Sequence, residues 1–394
     1  MLETFVDFGN YKTRLGVFNK TSSSKDYFIE KKIYTKINLE NENLQVLDKL
    51  IKELIYEAEK KINTHIKDLN IMLDLSNFNP IDLSLKKNYE GEYINADDIQ
   101  ILLQESKQIV QENNQDKKII HMIVKKFIFD EKVYFEAPEE DIKCKNLTLE
   151  IKFICYPNTI INNIENIFKN NDILVNSISC STYIKSLNYN KFFKNHENKI
   201  FLDIGFKKTC LAVFYKNVLT HLNSVPVGGN HITSDISKIF KLNEENSENI
   251  KKSFNKTETI FFDNNEKIKN NLETDLKLIT KDISHDLLKK VIYARVEEII
   301  NLSFQKIEFD GSNKENKYIL VFIGDGSKIL NKNAIYLENK YDFINEMIFF
   351  EENVESICRS AQNFANKNYS NEVSFVSKKP KKIGFFEKLF DLFK

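Results

Sequence analysis

The chain has 394 residues, and its 57 Lys and Arg balance 57 Asp and Glu, so the formal net charge is zero. That length supports more than one domain-sized core, and the lack of basic excess argues against a general nucleic-acid binder. Gly is scarce: 10 residues where average usage of about 7% would give roughly 28, which excludes collagen-like and Gly/Pro-rich disordered classes. Glycine permits positive φ and close backbone approach, so the few places that keep it are informative. The five Cys form no CxxC pair and are expected as reduced, buried thiols. Met1 to Asn10 carries Glu3 and Asp7 and does not read as a signal peptide, and no run of 18 apolar residues is present.

In chain order, Phe5–Phe18 reads as a hairpin: two short apolar strands around the polar turn Gly9-Asn10-Tyr11-Lys12. Residues 44–63 repeat apolar positions at helical spacing, and 70–75 is a short strand. From 80 to 157 the pattern changes to a small inserted α+β unit. It holds a strand with Gly91, a helix capped by Asn95 with Asp97 and Asp98 in its first turn, and strands around 119–124, 126–129 and 147–154. A helix over 158–170 and a strand over 173–179 follow. Residues 200–214 then repeat the opening design: Phe201-Leu202-Asp203-Ile204-Gly205, a polar turn with Lys207, Lys208 and Thr209, and an apolar return strand. The two copies imply a duplication at domain scale. Residues 241–275 are polar, helical spacing returns over 287–302, 318–322 is a strand, and a helix lies near 351–366.

A strand ending in Asp, then Gly and a tight polar turn, suits a nucleotide phosphate. The Gly lets backbone N–H groups face the phosphate oxygens, and the Asp can hold Mg2+ through water. Two further Gly turns precede helix starts: Val225-Pro226-Val227-Gly228-Gly229-Asn230-His231 and Gly324-Asp325-Gly326-Ser327. Such helix starts are natural anion sites. His121 and His231 are read as structural, and no Ser/His/Asp set or metal-ligand spacing stands out.

Taken in this order, these motifs resemble the actin/Hsp70/sugar-kinase ATPase superfamily, and within it the FtsA family of bacterial cell-division proteins. The resemblance spans essentially the whole chain. Asp7–Lys12 resembles the first phosphate loop, Asp203–Phe214 the second, and Gly324–Ser327 the adenosine loop. Val225–Ile236, the most specific match, is close to the family's own form of that segment. Ser247-Glu248-Asn249-Ile250-Lys251 resembles the helix whose Glu and Lys lie near ribose and base. Ala294–Ile299 and His121–Val124 are also similar to the family. The second phosphate loop departs from the pattern: Phe206 and Lys207 stand where glycines are usual, and Cys210 stands where the family has a carboxylate.

The resemblance implies an α/β, duplicated actin-like fold with an inserted subdomain. One subdomain would comprise 1–79 and 158–197, the insertion 80–157, a third 198–234 and 303–350, and a fourth 235–302. A returning helix (351–367) and a linker (368–380) would follow. ATP would lie against Asp7, Gly9, Asn10, Tyr11, Lys12, Asp203, Gly205, Lys207, Lys208, Thr209, Gly228, Gly229, Glu248, Lys251, Gly324, Asp325, Gly326 and Ser327, with Asp7 and Asp203 holding Mg2+ through water. The implied role is to tether the tubulin-like protein FtsZ to the cytoplasmic face of the inner membrane at the division site, with at most weak ATPase activity. Region 235–302 would bind the FtsZ C-terminal peptide, the chain would polymerise, and later division membrane proteins would be recruited. Two alternatives are a PilM-like pilus-assembly adaptor and a nucleotide-degenerate membrane scaffold. A sugar kinase would need a catalytic carboxylate and a sugar-lined cleft, which no segment displays.

The last segment, 381–394, is amphipathic at about 100° per residue. Ile383, Phe385, Phe386, Leu389, Phe390, Leu392 and Phe393 share half the wheel, and Lys382, Glu387, Lys388, Asp391 and Lys394 the other. Such a helix suits a membrane interface, with its lysines drawn to anionic lipid. FtsA proteins carry a tail of this kind.

Overall fold

The computed structural model describes residues 2–19, 26–32, 44–75, 78, 80–261, 284–305, 307, 316–330, 340–367, 369 and 371–373. The proposed membrane helix over 381–394 lies outside them.

The first sheet is built from β1 (Leu2–Phe8), β2 (Lys12–Asn19), β3 (Tyr27–Lys32), β4 (Asp68–Leu73) and β9 (Leu174–Cys180), in the order β3-β2-β1-β4-β9. The second repeats that order with β10 (Lys199–Ile204), β11 (Thr209–Tyr215), β12 (Val218–Val225), β13 (Tyr318–Ile323) and β14 (Ile344–Phe349): β12-β11-β10-β13-β14. In each, an antiparallel three-strand meander is extended by two parallel strands. The duplication read from two short motifs thus extends to whole sheets.

Every residue of β10 and β13 is buried. Successive side chains of a strand point to opposite faces, and here both faces meet a core. Phe201, Ile319, Val321 and Ile323 join the core that also holds Val6, Ile71 and Ile164. Leu202, Leu320 and Phe322 join the core of α5 (Gly229–Phe240), α6 (Glu244–Phe261) and α7 (His285–Phe304). This explains why these strands read as continuous apolar runs. In α7, Leu288, Ile292, Val296 and Ile299 recur at three- and four-residue spacing and are buried.

The insertion forms a third sheet, β5-β8-β6-β7, from β5 (Ile81–Ile94), β6 (Lys117–Phe129), β7 (Lys132–Tyr134) and β8 (Ile142–Pro157), packed on α2 (Ala96–Asn113). The expected cap is present: Asn95 Oδ1 accepts from the Asp97 and Asp98 amides, and Asp98 accepts in return from the Asn95 amide at 3.0 Å. The two strands expected over 119–124 and 126–129 are one strand with a register irregularity between Val124 and Lys126.

The remaining helices are α1 (Leu44–Ile62), α3 (Asn158–Lys169), α4 (Ser181–Asn190) and α8 (Val354–Asn366). The last returns to the first sheet, where a Cβ at Gly16 would stand 2.6 Å from Cys358 Cβ, so glycine there is a packing requirement. All five cysteines are buried and free. No described helix is long and apolar enough to cross a membrane.

Candidate functional site

The two sheets converge on a cleft of about 380 Å3. Of the residues singled out in the sequence, Asp7, Gly9, Asn10, Tyr11, Lys12, Asp203, Gly205, Lys208, Gly229, Glu248, Lys251, Gly324, Asp325 and Gly326 line it. Lys207, Thr209, Gly228 and Ser327 do not. Thr209 Oγ1 donates to the Val227 carbonyl (2.7 Å) and Ser327 Oγ to the Gly324 carbonyl (2.7 Å), so both hold loops in shape. Arg14, Asp74, Lys185 and Glu352 line the cleft without having been expected there.

Glycine in the later turns serves loop-on-loop packing. A Cβ at Gly228 would lie 2.6 Å from the Gly205 carbonyl oxygen, and one at Gly326 would lie 2.6 Å from that of Ile204. Gly324 runs at φ +86°, and a side chain there would collide with the Asp203 carboxylate. Three loops, at 204–208, 228–229 and 324–326, therefore close into one shell. The segment after Gly324 forms a short 3-10 turn, Asp325–Ile329, rather than the expected α-helix start. His231 has the structural role expected of it: its Nδ1 accepts from the Gly228 amide at the start of α5 (3.2 Å).

The carboxylates expected to face magnesium already hold cations. Asp7, 5% exposed, accepts from Arg14 Nη1 (2.9 Å) and Ser181 Oγ (2.8 Å). Asp203, 8% exposed, pairs with Lys185 Nζ (2.5 Å), which also reaches Glu352 (3.3 Å). Burial pushes the Asp203 carboxyl up to about 6 against the pull of Lys185. Burial alone would lower Lys185, but Asp203 and Glu352 hold it well above its ordinary value. No group of three or more potential metal ligands is present among the described residues. Asp7 and Asp203 are each already paired with a cation of the chain itself.

Other contacts cross the cleft. Asp325 pairs with Arg14 Nη2 (2.8 Å), Lys12 (3.2 Å) and Lys328 (2.8 Å). Burial would raise its carboxyl, but Lys328, Arg14 and Lys12 together hold it well below the usual carboxylate range. Tyr11 and Phe206, one from each hairpin turn, stack at 4.8 Å with 27° between their rings, and Lys252 lies over Tyr11 at 5.3 Å. On the α6 side, Glu248 accepts from Thr233 (2.5 Å) and pairs with Lys251 (2.5 Å), which also donates to the Gly229 carbonyl (2.9 Å). Six acidic and seven basic side chains line the cleft, leaving a slight positive excess suited to an anion.

The family model for "Cell division protein FtsA" matches residues 200–371. The chain is 22% identical over 208 residues to the cell division protein FtsA of Streptococcus pneumoniae, a match covering 52% of this chain and 44% of that protein. It thus spans less than half the length of that relative. It is 23% identical over 341 residues to FtsA of Enterococcus faecalis, covering 83% of this chain and 71% of that protein. Among solved structures, it superposes on a chain of the PilM–PilN type IV pilus biogenesis complex with a TM-score of 0.58 at 12% identity, covering 92% of this chain and 95% of that one. The fold is that of actin-like ATPases, and the sequence is similar to the FtsA cell-division proteins.

Proposed function

We propose that the protein is an actin-like, ATP-binding cell-division protein that links FtsZ filaments to the cytoplasmic face of the inner membrane and polymerises. The observation that carries this reading is the FtsA-family match over 200–371 joined to a cleft in which four glycine-bearing loops meet. In it, 235–302 takes the FtsZ C-terminal peptide, the insertion at 80–157 serves self-assembly and contact with later division proteins, and 381–394 lies in the membrane. Those are the roles that family resemblance assigns to these regions. The cleft's cationic lining, with Lys12, Lys208 and Lys252, suits the phosphates of a nucleotide. Bound ATP would supply a polyanion whose presence favours assembly. Asp7 and Asp203 are held by Arg14 and Lys185.

Two measurements test the proposal. Equilibrium binding of ATP is expected with and without magnesium. Full-length protein is expected to sediment with anionic vesicles and to retain the FtsZ C-terminal peptide, and a chain lacking 381–394 should stay folded yet lose the vesicles. Equal sedimentation of both chains would remove the tether from the reading.

The scaffold alternative rests on a specific observation: the Tyr11–Phe206 stack and the Asp325 ion pairs already bridge the cleft. No ATP binding, with vesicle and peptide binding intact, selects that alternative.

A further inference from the structure

After α8 the chain lays Asn371–Val373 along β6, beside the edge that β7 leaves open. The Val124 amide donates to the Asn371 carbonyl and the Val373 amide to the Met122 carbonyl, both at 2.9 Å. The Asn371 side chain donates to the carbonyls of Val124 (2.9 Å) and Phe135 (2.6 Å). Glu372 points inward, where its two oxygens contact His121 Nδ1 (2.8 Å) and the Tyr183 hydroxyl (2.9 Å). His121 is 1% exposed, and its Nε2 accepts from the Cys180 amide at 2.9 Å. That acceptor role places the ring proton on Nδ1, facing Glu372. A carboxylate this enclosed is tolerated only while hydrogen-bonded, so the strap either holds both bonds or leaves as a unit.

Four consecutive residues, Cys180–Tyr183, link the clasp to the cleft. Tyr183 bonds Glu372 directly and Cys180 reaches it through His121. Ser181 Oγ donates to Asp7 (2.8 Å), and Thr182 Oγ1 lies 2.7 Å from Asp74 and 3.0 Å from Asp203. A hydroxyl carries one proton, so Thr182 donates to one of these carboxylates at a time. The hydroxyl at the junction of β9 and α4 therefore has two alternative acceptors, one of them Asp203.

We propose that the β9–α4 junction, Cys180–Tyr183, couples the cleft to the root of the C-terminal segment. A change in the partners of Asp203 is taken up by Thr182, shifts the start of α4, and loosens or tightens the Glu372 clasp. The contacts belong to the chain itself, so the coupling stands whether or not the cleft takes ATP.

The test is amide hydrogen exchange on the full chain, read at Val124 and Val373 against the β5–β8 ladder. Thr182→Val removes the hydroxyl and keeps the shape, and is expected to speed exchange at both amides about tenfold while the ladder is unchanged. Glu372→Gln should do the same, and the double variant should add little to either single change. Exchange at Val124 and Val373 within about twofold of the parent in Thr182→Val, or fully additive effects, would overturn the coupling. If Thr182→Val raises exchange throughout the chain, Ser181→Ala, which deletes only the bond to Asp7, decides between the same two outcomes.

Discussion

The two hairpins that open the sheets share one backbone plan and neutralise their carboxylates differently. In each, an Asp stands near the end of the first strand, two residues before a Gly, and the Gly amide closes on the Lys three positions along: Gly9 on the Lys12 carbonyl at 3.0 Å, Gly205 on that of Lys208 at 2.9 Å. The register pairs Asp7 with Arg14 and Asp203 with Cys210. In the first copy, the return strand therefore supplies the cation. In the second, a thiol stands at that position and the cation, Lys185, comes from α4. The copies kept the turn, which backbone bonding dictates, and diverged in the charge partner, which any element within reach can provide. The second cation is the more buried one: Lys185 is 8% exposed at its side chain and Arg14 12%, and Arg14 also shares the partly open Asp325.

That contrast can be broken by substitution. Lys185→Met would leave Asp203 and Glu352 enclosed without a cation and is expected to cost about 3–5 kcal/mol, read as a lower urea midpoint. Arg14→Met leaves Asp7 its bond from Ser181 and is expected to cost less, about 1–2 kcal/mol. A larger loss for Arg14 would reverse the comparison. Phe206→Ala removes the stack on Tyr11, worth about 1 kcal/mol, and opens the cleft; tighter ATP binding in titration is the expected gain. Asp325→Asn should cost least at neutral pH, about 0.5 kcal/mol, since its pairs are partly solvated. Its signature is the pH dependence. Because Asp325 ionises below its ordinary value of 3.8, the stability it adds is present above that value and is lost as pH falls. Acid titration of stability should therefore be shallower below about pH 4 in Asp325→Asn than in the parent.

Much of this frame was legible in the sequence. The helix read over 44–63 is α1 (Leu44–Ile62), the strand over 318–322 is β13, and the Asn95 cap holds as expected. Local spacing and short-range hydrogen bonds decide such features. The glycine positions also pointed to the shell of loops, although the physical reason is contact between loops. Hidden from the sequence were α4, β14 and the charge partners. Ser181 through Ser186 of α4 are all buried, so the helix shows no apolar stripe to detect. Lys185 meets Glu352 across 167 positions of chain, a distance that only the folded sheets collapse. The clue available was the pair Ser181 and Lys185, four apart on one helical face.

The enclosed thiols have a practical consequence. Burial pushes Cys155 up to about 11, and it likewise raises Cys144, Cys180, Cys210 and Cys358. An alkylating reagent therefore meets no ready thiolate in the native protein. Each cysteine becomes a clock for the opening of its own surroundings: Cys144 for the inserted sheet, Cys210 for the cleft, Cys358 for the seat of α8 on Gly16. Mass spectrometry after timed labelling in graded urea would rank the order in which the parts of this molecule come undone, using only the residues it already carries.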